Sequence, residues 1–172
     1  MERVEESYFS HIPLLSAAAI KTTGPVLELG SGFGSTLLLH GLCGAMGRQL
    51  VTLDTDGEWL NKFINLSRSW HRFKEVDSFV GLPELKERWG LAFVDHGISL
   101  QRGVSVVELS GSTDIIVCHD SCHFFLYGYE PVLSSFKYRY NFKPHNIGSD
   151  SPMTTAVSET VNVGELFAGA GL

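Results

Sequence analysis

The chain has 172 residues, 44% apolar and 19% charged, a net charge of −6 and three cysteines. That is enough chain for a sizeable core of ordinary composition. It carries no Lys/Arg block to grip a nucleic-acid backbone and no apolar run of the roughly 20 residues that span a bilayer. Cys43, Cys118 and Cys122 are too few and odd in number for a disulfide framework. The start "MERVEESYFS" is acidic and amphipathic, unlike a secretory leader. The expectation is one domain over residues 1–172, in a reducing, cytoplasmic setting, without a nucleic-acid or membrane partner.

In chain order, residues 7–21 space their apolar positions as a helix does, and "PVLELG" then reads as a strand. "STLLLHGLCGAMG" is a helix, "QLVTLDTD" a strand and "GEWLNKFINLSRSW" a helix. "RFKEVDSF" is a short third strand, and "LPELKERW" a short helix with proline near its first turn. "GLAFVD" is a strand, "SLQRGVSVVELS" a helix and "TDIIVCHD" a strand. The strands are continuous apolar runs rather than in/out alternations, which marks a sheet covered on both faces. Regular βα alternation makes that sheet parallel. A helix is expected near residues 122–136. Beyond it the pattern breaks: "FKYRYNFKP" and "MTTAVSETVNV" read as an antiparallel strand pair joined around "HNIGSD". The tail "GELFAGAGL" has no assignable place.

The stretch "VLELGSGFGST" carries the first chemistry. Glycines at 30, 32 and 34 between a strand and a helix let the backbone turn sharply and touch a ligand, and the helix N-terminus favours anionic groups. The dinucleotide pattern would need its third glycine where Ser35 stands. Glu28, two residues ahead of the loop, would repel a pyrophosphate but suits an ammonium. Asp54, ending the next strand, can accept both hydroxyls of a ribose. An ammonium, a carboxylate and a ribose together describe S-adenosylmethionine. As alternatives, Glu28 is a strand-end acid and Asp54 caps the helix that follows.

A second constellation lies at Asp95 and Asp120, which end two later strands. Strand carboxyl ends share one rim of an open α/β sheet, and two carboxylates there can hold a hard divalent cation or simply cap helices. His96, His119 and His123 are candidates for acid/base work or cofactor contact. The "CHDSCH" run has no second Cys/His pair to complete a zinc site.

With both constellations in place, the chain resembles the class I S-adenosylmethionine-dependent methyltransferases, and is most similar to their catechol O-methyltransferase-like branch. The resemblance covers residues 26–121: "VLELGSGFGST", "LVTLDTD", "LAFVDHG" and "IIVCHDS". It implies a Rossmann-like α/β fold, mainly parallel, with an antiparallel C-terminal strand pair and helices on both faces. It implies methyl transfer to an oxygen of a small-molecule acceptor, assisted by Mg2+. The cofactor site implied is Glu28 on the ammonium, then Gly30, Ser31, Gly32 and Gly34, with Ser35 or Thr36 on the carboxylate. Asp54 and Thr55 would lie at the ribose, Asp77 or Ser78 at the adenine amine, and Asp95 and His96 beside the cofactor. The catalytic set implied is Asp95, His96, His119 and Asp120, and the metal set Asp95, Asp120 and Ser121. Two positions depart from the family: Ser121 replaces an asparagine ligand, and Ile98 stands where a lysine base is expected. A metal-independent methyltransferase acting on nitrogen, or a non-catalytic S-adenosylmethionine-binding protein, are the alternatives. The sequence does not give the oligomeric state.

Overall fold

The computed structural model describes residues 9–98, 100–123, 125–144 and 152–169. Seven strands form one sheet: β1 (Val26–Leu29), β2 (Leu50–Asp54), β3 (His71–Glu75), β4 (Trp89–Val94), β5 (Thr113–Cys118), β6 (Tyr138–Phe142) and β7 (Thr154–Ser158). Their order is β3-β2-β1-β4-β5-β7-β6. β1 to β5 pair in parallel, while β7 runs antiparallel to both β5 and β6. The expected antiparallel pair is therefore present, with its second strand inserted beside β5. The turn expected around "HNIGSD" lies largely outside the described residues.

Every residue of β1, β2, β4 and β7 is buried, the polar ones among them included, as in strands covered on both faces. Alternation sorts their side chains between two cores. Leu27, Leu29, Val51, Leu53, Ala92, Val94 and Ile116 pack with Val106 and Leu109 of α4 (Gln101–Leu109). Val26, Leu50, Leu91, Phe93, Ile115 and Val117 face α1 (Ile12–Lys21) and α2 (Ser35–Met46). Carried one step past the strand ends, this alternation sends Glu28, Asp95 and His119 toward the α1–α2 side.

Three expected helices are shorter or different in kind. Residues 57–70 give only α3 (Gly57–Leu60) and a 3₁₀ run Asn61–Leu66, and "LPELKERW" gives a 3₁₀ turn at Pro83–Lys86. The helix expected near 122–136 reduces to α5 (Val132–Ser135). Gly128 adopts φ +63° and Pro131 lacks an N–H, so the described residues ahead of α5 run as turns. The tail that had no place in the sequence reading forms α6 (Val163–Ala168). Asn162 caps it and Phe167 is buried against the second core. No helix among the described residues is long and apolar enough to cross a membrane.

Candidate cofactor and acceptor site

The Gly30–Gly34 turn is fastened at both sides to its neighbouring strands. Gly30 has φ +93°, and a Cβ there would stand 2.6 Å from the Asp95 carbonyl oxygen and from His96 Cα. Only glycine lets β1 end this close to β4. The space around Gly32 is open: its Cβ would meet nothing nearer than Ser35 Oγ at 3.5 Å. Such a gap above a helix N-terminus can receive a ligand's carboxylate. Gly34 is covered instead, by Phe9 and His11 just ahead of α1.

Glu28 is fully buried beneath the turn. Thr36 Oγ1 accepts from the Gly32 N–H at 2.9 Å and donates to the Glu28 carboxylate at 3.0 Å, while Thr52 Oγ1 donates to it at 2.7 Å. Burial raises the Glu28 pKa from 4.5 to about 7, although the hydroxyls of Ser35, Thr52 and Thr36 pull it back. The chain of contacts continues from Thr52 to His71 at 3.0 Å and from His71 to His40 at 2.9 Å. Asp54 accepts from the Ser31 N–H at 2.7 Å, from Ser31 Oγ at 2.6 Å and from the Asp56 N–H at 3.1 Å. Asp56, rather than Asp54, caps α3 through the Trp59 N–H. Trp59 donates its indole N–H to the Ser31 carbonyl at 2.8 Å, bracing the turn from α3. Asp54 thus bonds the glycine turn directly at Ser31, and Glu28, from the neighbouring strand, reaches it through the Thr36 hydroxyl that accepts from Gly32.

The remaining cofactor candidates divide. Thr55 is half-buried next to Asp54, and Asp77 is exposed. Ser78 is half-buried and its hydroxyl donates to Gln101 Oε1 at 3.3 Å. His96 is stacked on Phe79, centroids 4.0 Å apart and planes 8° from parallel, with Nε2 3.3 Å from Ser105 Oγ. Burial, with Arg102 nearby, lowers its pKa to about 3. His96 is thus a packed ring whose neutral form burial favours.

Asp95, His119 and Asp120 do come together, around two residues the sequence reading passed over. Arg102 of α4 reaches across the strand ends: its NH2 lies 3.1 Å from Asp95 Oδ1, its NH1 3.7 Å from Asp120 Oδ2, and its Nε donates to the His96 carbonyl at 2.6 Å. Tyr127 covers the guanidinium at 4.0 Å. Asp120 takes φ +52° to turn into this cluster. From the other side comes His11, its ring 5.0 Å from Phe93 and 4.6 Å from His119. His119 Nδ1 is 3.2 Å from Asp95 Oδ1, and its Nε2 is 3.0 Å from Ser10 Oγ. Burial works against both charges, but Asp95 is held low by His119 and Arg102, and His119 is held high by Asp95.

The magnesium expected on Asp95, Asp120 and Ser121 does not fit this arrangement. A guanidinium already bridges the two carboxylates, and a dication added between them would meet that positive charge at contact distance. Ser121 is turned away: its hydroxyl donates to the Met153 carbonyl at 2.9 Å and meets Thr155 Oγ1 at 2.7 Å. The "CHDSCH" cysteines are no help, since Cys118 is buried in the α4-side core and Cys122 is exposed.

No protein-family model and no curated protein matches the sequence. Solved structures do match. The N-methyltransferase NodS from Bradyrhizobium japonicum WM9 superposes with a TM-score of 0.59 at 12% identity, over 91% of this chain and 96% of its own. Precorrin-6y C5,15-methyltransferase from Geobacter metallireducens GS-15 gives 0.55 at 13% identity, over 86% and 88%. A human methyltransferase 10 domain containing protein gives 0.53 at 12%, over 92% and 84%. The fold is that of the class I methyltransferases.

The likeness is to the methyltransferase fold in general and does not single out the catechol O-methyltransferase-like branch. Within this fold the sequence reading missed His11, because one histidine at a helix start carries no local signal. It missed Arg102 because an arginine on an amphipathic helix reads as a solvated residue, whereas here it is 4% exposed.

Proposed function

We propose that the protein is an S-adenosylmethionine-dependent methyltransferase acting on a small-molecule oxygen or nitrogen nucleophile. The observation that carries this reading is that Asp54 directly, and Glu28 through Thr36, are tied to one glycine turn at the strand ends of a methyltransferase fold. The gap above Gly32 and the fixed carboxylate of Asp54 suit the cofactor's amino-acid and ribose ends. When bound, S-adenosylmethionine supplies a sulfonium methyl group that leaves its sulfur as the acceptor's lone pair bonds to it. The chain's own part is positioning, which dominates in-line transfers. Glu28 balances an ammonium and Asp54 fixes a diol. The imidazole of His11, which burial keeps neutral, stands beside His119 at the strand-end rim, where an acceptor's proton can be taken up. Among similar structures are a 23S rRNA methyltransferase and an N-methyltransferase. The net charge of −6 favours a small acceptor over RNA.

Calorimetry tests the reading: S-adenosylhomocysteine should bind and NAD should not bind comparably. Asp54→Ala should weaken that binding by about 1–3 kcal/mol, since it removes charge-assisted bonds to the ribose. An unchanged affinity in a folded Asp54→Ala protein would refute the assignment.

The raised pKa of Glu28 sets a pH dependence. Only the ionised carboxylate attracts an ammonium, so affinity for S-adenosylhomocysteine should fall as pH drops from 8 through about 7. Without ligand the sign reverses. The folded state holds this proton more tightly than the unfolded chain, so the stability it gives is full below about 4.5 and lost as pH rises through about 7. Glu28→Gln should flatten the binding profile. A wild-type affinity constant between pH 6 and 8 would count against an ionised Glu28 in binding.

A further inference from the structure

The rim cluster contains more unmet ligand capacity than an ion pair requires. His11 is 3% exposed, and neither of its ring nitrogens has a hydrogen-bond partner. His119 is 4% exposed, and its Nδ1 makes no hydrogen bond of good geometry even though Asp95 Oδ1 is 3.2 Å away. Its Nε2 is tied to Ser10 Oγ at 3.0 Å. A metal at Nδ1 would displace the proton that Asp95 favours there, while an Nε2–H donated to the Ser10 hydroxyl keeps the ring orientation fixed, as the outer partners of metal-binding histidines do. Donor atoms of His11, Asp95 and His119 all lie within 4.8 Å of one another. The 3.2 Å between His119 Nδ1 and Asp95 Oδ1 matches the edge of about 3.3 Å for a tetrahedron with metal–ligand bonds near 2.0–2.1 Å.

We propose that His11, Asp95 and His119 form a binding site for a zinc-type divalent transition metal, beside the glycine turn. Two imidazoles and one carboxylate are a donor set for borderline metals and a poor one for magnesium, which takes oxygen ligands. Three protein ligands leave a coordination position open, the arrangement of metal sites that act on a substrate. The surrounding charge also fits. Asp95 and Asp120 against Arg102 leave one net negative charge once a metal has displaced the His119 proton, so a bound dication makes the cluster singly positive and one anionic oxygen neutralises it. Polarising a hydroxyl or carboxylate of the acceptor is the role such a site would have, and that role, unlike the metal binding itself, rests on the methyltransferase reading.

Chelator-treated protein titrated with zinc by calorimetry should take up one ion per chain, with magnesium binding at least about 100-fold weaker. Cobalt(II) should give the visible d–d bands of a low-coordinate nitrogen/oxygen site. His11→Ala and His119→Ala should each weaken zinc binding about 100-fold or more, while Cys122→Ser leaves it unchanged. Ser10→Ala keeps all three donors and should weaken binding about tenfold, which covers the case of an unfolded histidine variant. Absence of zinc binding, zinc binding indifferent to His11, His119 and Ser10, or magnesium binding as tight as zinc would each overturn the site. S-adenosylhomocysteine binding measured on the same samples separates failure of the metal site from failure of the methyltransferase reading.

Discussion

Gly30→Ala should remove a large share of the stability, costing about 4 kcal/mol or more against a total of roughly 5–15 kcal/mol for a domain. Two independent effects add. The backbone there has φ +93°, which strains any residue with a Cβ. The new methyl would also stand 2.6 Å from backbone atoms of Asp95 and His96, which are held beside the β1–β4 ladder and cannot rotate away. Relief would require parting β1 from β4, two central strands paired from Val26 to Leu29. Gly41→Ala is the matching control. Gly41 lies within α2 with nothing inside 4 Å of an added methyl, so alanine there should stabilise by about 0.5–1 kcal/mol through helix propensity alone. Denaturant unfolding of the two variants should move in opposite directions. A Gly30→Ala protein within about 1 kcal/mol of the parent would show that the turn does not seat against β4.

The same glycine shows what a sequence can disclose and where it stops. A strand, a glycine turn and a helix are local, and the periods of 2 and 3.6 that mark them survive in the string, so the parallel sheet and the Glu28–Asp54 pair were readable. The antiparallel ending was readable too, because no helical pattern separates "FKYRYNFKP" from "MTTAVSETVNV" and a parallel pair needs a crossover between its strands. What defeated the reading was distance along the chain. His11 meets His119 across more than 100 residues, and Arg102 meets Asp120 across the rest of α4 and all of β5. Neither pairing leaves a spacing motif. The expected helix near 122–136 failed for a different reason: aromatic residues there pack under helix α4, Tyr127 on Arg102 and Tyr129 in the core, so their apolar character reported burial rather than helical period. The magnesium set was an inference from two strand-end acids. A sequence shows that both acids exist but not which cation neutralises them.

That last point makes Arg102 the most informative single position. Its side chain is 5% exposed and serves two carboxylates, two backbone carbonyls and the face of Tyr127. Arg102→Met keeps much of the length and apolar stem but leaves Asp95 and Asp120 with His119 as their counter-charge in place of two cations. Breaking a buried pair by removing one partner costs about 3–5 kcal/mol, because the remaining charge has lost its water and its partner. The loss should appear in denaturant unfolding, and Asp120→Asn added to Arg102→Met should recover part of it, since the pair is coupled. The variant also opens the space the guanidinium fills. Millimolar magnesium should then raise the melting temperature of Arg102→Met and leave the parent unmoved, through ligand linkage to the folded state. A parent protein that magnesium stabilises as much as the variant would mean that the guanidinium does not stand in the cation's place.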